Sequence, residues 1–401
     1  MSLDLNKIVP QVEGMATRLK AGSQKRQQRL LKALDVLGDE EISFDRLKEK
    51  VTSSKTTWLV AGLVDGLSQH CQAPPPPKEF TVIASDGSHI DVDRHRSNRC
   101  YLINIGSAAL SYGASPNATL NSFPNLYSDD EDLVMAPPEG GREQPMEGAL
   151  LGIKRSVEEC RHLANLVSEL PNIPTLALLD GSLILWGLAS KDYPEFVVET
   201  LLDKGFLRYL DDIRKLSKDR RLALASYISY PRSTDVVNAL RVAICHHEIA
   251  DCDRYCAQNP SGERECNAVA GIQDRELFSD RLSAGERSAL FISQSSIVQK
   301  RYGVHRVFFF YLKVDDEIAR VEIPQWVAAD ENLLKLAHAL VLDQCRRGQG
   351  YPVALSEAHE QAVITGADRE NFQQLVEMSL AEKHIPITAS AKSLSKRTRW
   401  V

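Results

Sequence analysis

Two copies of the same tripeptide, Asp86-Gly87-Ser88 and Asp180-Gly181-Ser182, each follow a short run of strand-forming residues, Phe80-Thr-Val-Ile-Ala-Ser85 and Thr175-Leu-Ala-Leu-Leu179. A carboxylate at the end of a buried strand, with a glycine behind it to let the backbone turn, stands where open α/β sheets place their ligand sites. Asp and Gly also make turns for conformational reasons alone. Two such aspartates on different strands are more informative, because a hard divalent cation needs carboxylate oxygens converging from separate elements. A third element offers acid between them: Lys154-Arg-Ser-Val-Glu158-Glu159-Cys160, in a helical pattern. Near the C-terminus, Gly350-Tyr351-Pro352 reads as a turn that starts a helix, with His359 about one turn inside it. A neutral imidazole is a ligand for Mn or a proton carrier in phosphoryl chemistry, although helix histidines also serve as ordinary structural residues.

The elements needed to position these groups are legible as alternating patterns. Leu30, Leu31, Leu34 and Leu37 recur at helical spacing, and Leu59, Val60, Leu63, Val64 and Leu67 do so again, giving a helical extension over 1–72. Pro74–Pro77 form a stiff linker within 73–79. The main domain is expected over 80–385: strands at 80–85 and 101–106, a polar surface loop from 117 to 145, a helix over 147–170, and the apolar strand 175–179, buried on both faces. A helix over 194–218, a strand over 222–228 and a helix over 234–248 follow. A hairpin around Asp315 and Asp316 and helices near 328–346, 354–365 and 369–382 complete it. Strands alternating with helices, plus one hairpin, indicate a mixed α/β sheet. Residues 386–401 read as a basic tail.

Bulk composition narrows the partners. Lys and Arg number 48 against 54 for Asp and Glu, a net charge of −6, which argues against coating nucleic acid by bulk electrostatics. A nuclease is compatible with that balance, since it needs an acidic metal pocket with local basic contacts. Arg18, Lys20, Lys25, Arg26, Arg29 and Lys32 make one basic patch, and Lys392, Lys396, Arg397 and Arg399 another; each also reads as a solvated face or tail. The start of the chain has no secretory pattern and no apolar run reaches a membrane span, so a cytoplasmic protein is expected. Eight cysteines in 401 residues do not suggest a disulfide framework. Four of them, Cys245, Cys252, Cys256 and Cys266, lie with His246 and His247 in one polar insert at about 245–270. A structural Zn2+ there is the alternative to reduced thiols, but the spacing contains no C-x2-C pair. Asp86, His89, Asp91, Asp93 and His95 also look metal-like, yet alternate residues of an extended chain face opposite ways, so only some could join Asp86.

Taken in order, the chain resembles the NurA family of DNA end-processing nucleases. The resemblance rests on Asp86-Gly-Ser after a strand, the helix with Arg155 and a Glu, and Leu178-Leu-Asp-Gly-Ser-Leu183. It extends through Val307-Phe-Phe-Phe-Tyr-Leu-Lys313, Arg320-Val-Glu-Ile-Pro324 and Gly350-Tyr-Pro with Glu357-Ala-His359, so it covers about residues 80–380. It implies an RNase H-like mixed sheet flanked by helices, with the ligand order strand Asp, helix Glu, strand Asp. It also implies Mn2+-dependent cleavage of DNA, with Mg2+ as the alternative ion, a homodimer, and a HerA-type hexameric translocase as partner in end resection and repair. Asp86, Asp180 and His359 match the family's metal-site motifs. Glu159, one helical turn after Arg155, is favoured as the helix ligand over Glu158. Tyr351 and Lys313 are candidates for supporting or DNA-facing roles. The N-terminal extension, the acidic segment Asp129–Asp132 and the Cys-rich insert depart from shorter members. Two other readings stand beside the nuclease. One is a non-catalytic docking subunit of a DNA translocase; the other is an actin-like phosphotransferase, which would need glycine-rich phosphate loops.

Overall fold

The computed structural model describes residues 4–39, 43–92, 99–189, 193–257 and 264–386. Its described residues group into two compact units. One contains the chain up to Ala73 together with Ile228–Ser295 and Phe308–Val321; the other contains Pro74–Tyr227, Ser296–Val307 and the chain from Glu322 onward. The protein is a mixed α/β structure with helices flanking its sheet and a long helix near the N-terminus.

The second unit holds all four predicted site residues. Five of its strands, Phe80–Ile90, Tyr101–Tyr112, Asn117–Tyr127, Thr175–Asp180 and Leu222–Ile228, lie in the order third, second, first, fourth, fifth. The first three pair antiparallel, while the fourth runs parallel to the first and the fifth parallel to the fourth. The fourth strand is buried from Thr175 to Leu179, as its unbroken apolar run predicts. Ala177 and Leu179 share a core with Leu151, Val157, Cys160 and Leu163 of the helix Ala149–Glu169. Leu176 and Leu178, fully buried too, belong to the alternate face. Helices Glu331–Arg347 and Val353–Ala362 also pack on this strand.

Several expected elements take other forms. Asp86-Gly-Ser is not a turn: it lies inside the first strand, where Asp86, Gly87 and Ser88 pair with Gly106, Ile105 and Asn104. The polar stretch that follows it obscured how far the strand continues. The segment expected as a loop from Asn117 contains an eleven-residue strand, Asn117–Tyr127. It is an edge strand exposed along almost its whole length, so it carries neither apolar alternation nor a ban on Pro124. The acidic segment forms the short helix Asp130–Leu133. The helix at 194–218 is continuous from Glu195 to Ser217 but has a π-helical centre, Glu199–Phe206.

In the first unit, helix Val9–Leu37 contains the predicted leucine repeat, and Phe44–Ser53 forms a second helix. The helix expected around Leu59–Leu67 is instead a strand, Ala61–Leu63, paired antiparallel with Phe291–Ser293. A short apolar run fits either period, and here Gly62 brings its backbone close to Gln294 and Ile292, where a side chain would collide. His70–Gln72 is likewise a strand, paired with Glu286–Ser288. The hairpin is present, with Val307–Val314 and Glu317–Pro324 joined through Asp315 at φ +48°. The helix expected over 234–248 ends at Ala243. Among the described residues no helix is long and apolar enough to cross a membrane.

Candidate active site

Asp86 and Gly87 are successive residues of one strand, so they face opposite sides of the sheet. Asp86 meets the helix Val353–Ala362: His359 Nδ1 lies 2.7 Å from its Oδ2, while Oδ1 accepts the Gly87 N–H at 2.8 Å. His359 stands nearly two turns into that helix, deeper than the single turn expected, and its side chain is 63% exposed. Gly106, directly across the ladder from Asp86, makes this meeting possible. A Cβ there would sit 2.1 Å from the Ala358 carbonyl oxygen and 2.4 Å from the Ala362 nitrogen. Polar residues flanking the glycine then fasten the helix. Asn104 Nδ2 donates to the Gln361 and Ala362 carbonyls at 3.1 and 3.0 Å, and Ser88 Oγ donates to Ala362.

Gly87 does the corresponding work on the other face. Its missing Cβ would fall 2.7 Å from Glu159 Oε1 and 2.9 Å from Arg155 Cγ. The glycine of the first Asp-Gly-Ser is thus a close-approach residue and makes no turn. Ser85 Oγ donates to the Glu159 carbonyl at 2.9 Å and ties the helix Ala149–Glu169 to the strand. Glu159 is buried, and its pKa is pushed up to about 8, chiefly by burial and in smaller part by Asp86 and Asp180, against the opposing Arg155. Arg155 Nε lies 3.0 Å from Glu159 Oε1 but out of hydrogen-bond alignment, so both atoms are buried without a hydrogen bond among the described residues.

Its neighbour Glu158 is in a different situation. It pairs with Lys154 at 2.9 Å and Arg161 at 2.6 Å. Burial would raise its pKa, but the two cations outweigh that and hold it below the usual range.

Asp180 ends the fourth strand, and Gly181 at φ +80° makes the turn that the sequence predicts. Tyr351 Oη donates to Asp180 Oδ1 at 3.1 Å. The carboxylate is open to solvent, yet enough protein surrounds it that desolvation raises its pKa, opposed by the Tyr351 hydrogen bond and reinforced by Asp86. Tyr351 packs edge-on against Tyr227, ring centroids 5.5 Å apart. Behind the turn, Ser182 Oγ and the Leu183 N–H donate to Glu322 Oε2 at 2.8 and 2.9 Å.

Asp86, Glu159, Asp180 and His359 therefore lie in one electrostatically coupled site, with Tyr351 beside them. Three carboxylates and an imidazole suit Mn2+ or Mg2+ in donor type. The Glu159 oxygen that lacks a hydrogen bond and the mutual repulsion of the acids are what a cation would relieve. Even so, among the described residues no three Asp, Glu, His or Cys side chains gather at metal-binding geometry. The donors approach from both faces of the sheet, and each rests against its own partner: Asp86 with His359, Glu159 with Arg155, Asp180 with Tyr351.

Other candidates lie apart from this group. Lys313 belongs to the first unit, where its Nζ donates to the Ser279 carbonyl at 2.7 Å. The four insert cysteines are free thiols, half-buried, and lend the zinc reading no support. His89 lies on the first strand with a buried Nδ1 that has no hydrogen bond among the described residues. Asp93, His95 and the basic tail residues Lys392, Lys396, Arg397 and Arg399 fall outside the described residues. Asn104, Gly106 and Ser85 were not singled out from the sequence; only small and polar residues in an otherwise apolar strand could have signalled them.

The chain is similar to solved structures of NurA proteins. With the NurA nuclease from Sulfolobus solfataricus it shares 14% identity over 94% of this chain and 96% of that one, at a TM-score of 0.43. With a NurA structure bound to dAMP and manganese it shares 13% identity over 91% and 94%, at a TM-score of 0.38. No curated protein matches the chain. The family model for the NurA domain matches residues 80–364, a span that begins at the strand bearing Asp86 and closes just beyond the helix bearing His359, and the chain belongs to the NurA domain family.

Proposed function

We propose that this protein is a metal-dependent DNA nuclease whose site is Asp86, Glu159, Asp180 and His359. The observation that carries the reading is the state of Glu159: a buried carboxylate whose Oε1 sits beside Arg155 without an aligned hydrogen bond, its pKa raised by burial and further by two carboxylates of the same site. Such a cluster is poorly stabilised by protein alone and is the kind of environment found at functional sites. The strand order, three antiparallel strands followed by two parallel ones with the first at the centre, supports the RNase H-like assignment. Family membership supports nucleic acid as the substrate class.

Asp86, Asp180 and Glu159 would hold Mn2+ or Mg2+, with His359 completing the set. Such an ion supplies positive charge to a phosphodiester and makes a water acidic enough to attack at neutral pH. Asp86 fixes the imidazole of His359 through Nδ1, which leaves Nε2 as the nitrogen that would meet the ion. Tyr351 orients Asp180 by its hydroxyl, and Arg155 offsets part of the burial that raises the Glu159 pKa. The same reading assigns DNA ends as the substrate, a homodimer as the acting form and a HerA-type hexameric translocase as the partner.

The test is cleavage of labelled linear DNA with Mn2+ and with excess chelator. Activity should require the metal and disappear in Asp86→Asn and Asp180→Asn. A purified double variant as active as the parent would sink the proposal.

A further inference from the structure

The first unit carries an aromatic residue in a conformation that sequence and packing both disfavour. Tyr230 has φ +48°, a left-handed backbone that bulky residues rarely adopt, and it is 60% exposed. Burial of the ring does not hold it there. Instead Glu317 Oε1 accepts the Tyr230 N–H at 3.0 Å and the Ser229 hydroxyl at 2.8 Å, locking the backbone. Above the ring lies the Arg275 guanidinium, 3.4 Å from the ring centroid, with Nε anchored on Gln273 Oε1 at 2.7 Å. Arg275 Nη1 is buried and has no hydrogen bond among the described residues. Arg232, two residues on, is exposed. Local strain that the surroundings impose and that packing does not reward is characteristic of ligand-binding positions.

We propose that Tyr230, backed by Arg275, is a stacking platform for an unpaired nucleobase of single-stranded nucleic acid. The ring is fixed rather than mobile, one face is covered by a cation, and most of its surface remains open. A base offers a π-face to the open side, and its phosphates offer acceptors to Arg232. Aromatic rings beside arginines bind single strands in this way without reading sequence. The inference builds on the nuclease reading by naming a contact for its substrate, but it concerns binding and needs no cleavage.

The experiment is fluorescence anisotropy with a labelled oligothymidylate of about 15 nucleotides, the scale of single-strand sites, in chelator so that nothing is cut. Tyr230→Ala should weaken binding roughly 5- to 150-fold, the span expected for losing one stacked base. Tyr230→Phe should bind like the parent, and Arg275→Gln should bind less tightly. The slope of affinity against salt should be the same in Tyr230→Ala and the parent, because no charge is removed. On an abasic strand of equal length the parent and Tyr230→Ala should become equivalent. Tyr230→Gly, which removes the backbone strain, should stay folded by circular dichroism and still lose binding. Equal affinity of parent and Tyr230→Ala, equal losses on abasic and normal strands, or no binding by the parent would each overturn the platform. A parent that binds through Tyr230 yet cuts no DNA with Mn2+ would refute the nuclease reading and leave the platform standing.

Discussion

Gly106→Ala tests how the site is assembled, because one methyl group acts on it from beneath a helix. The added Cβ would lie 2.1 Å from the Ala358 carbonyl oxygen, 2.4 Å from the Ala362 nitrogen and 2.7 Å from the Gln361 carbonyl carbon. All three are backbone atoms, so no side chain can rotate away. Since ordinary contact begins at 3.4 Å, the helix Val353–Ala362 must retreat by roughly 1 Å, a displacement large against the close packing of protein interiors. The movement stretches the Asn104 bonds to Gln361 and Ala362, and it carries His359 away from Asp86, now 2.7 Å distant, to roughly hydrogen-bond breaking range. Overpacking of this kind costs about 1–3 kcal/mol of stability. A misplacement of about 1 Å in a catalytic group costs up to about 100-fold in rate. Cleavage of linear DNA in Mn2+ should therefore fall about 100-fold while the protein remains folded below its lowered melting temperature. A double-mutant cycle with His359→Ala isolates the route. If Gly106 acts through His359, the double variant should be no slower than His359→Ala alone, giving a coupling of about 2.7 kcal/mol for a 100-fold effect. Full activity in Gly106→Ala, or two losses that simply multiply, would refute the reasoning.

The two adjacent helix glutamates should separate cleanly. Glu159→Gln is expected to cut cleavage by at least about 100-fold with little loss of stability, as for loss of a transition-state charge contact. Glu158→Gln should keep cleavage within a few-fold and lose about 1–3 kcal/mol by stranding Lys154 and Arg161; the opposite pattern in rates and urea midpoints would transfer the role to Glu158. His305 supplies a pH prediction away from the site. Burial lowers its pKa to about 4, against the attraction of Asp211 at 3.6 Å. The fold therefore favours the neutral ring: stability is full above the unfolded pKa of about 6.5 and is lost as pH falls from there to about 4. The loss is at most about 3 kcal/mol and is reduced where solvent reaches the ring. His305→Gln should flatten the urea midpoint between pH 6.5 and 4, and an unchanged slope would show that other groups control it.

What the sequence determined by itself is the chemistry and its order along the chain. Two aspartates after apolar runs, a glutamate pair in a helical repeat and a histidine after Gly-Tyr-Pro were all recognisable, because residue type and short-range period are local properties. The buried fourth strand was legible for the same reason: five consecutive apolar-to-neutral residues, closed by an Asp-Gly turn signal, suit a strand covered on both sides. The exposed edge strand Asn117–Tyr127 was not, since a strand that buries nothing has no hydrophobic period to read. Tertiary structure alone decided the meaning of the two Asp-Gly-Ser motifs. In the second, Gly181 turns the chain; in the first, Gly87 lies flat in a ladder and exists to let Glu159 and Arg155 approach. It also separated Glu158 from Glu159, identical in type and adjacent in sequence, by placing Glu159 beneath Gly87 beside the aspartates' field, while Glu158 pairs with cations of its own helix. Lys154 and Arg161 stand one helical turn either side of Glu158, a local arrangement; Gly87, Asp86 and Asp180 are distant from Glu159 along the chain, and only packing brings them together.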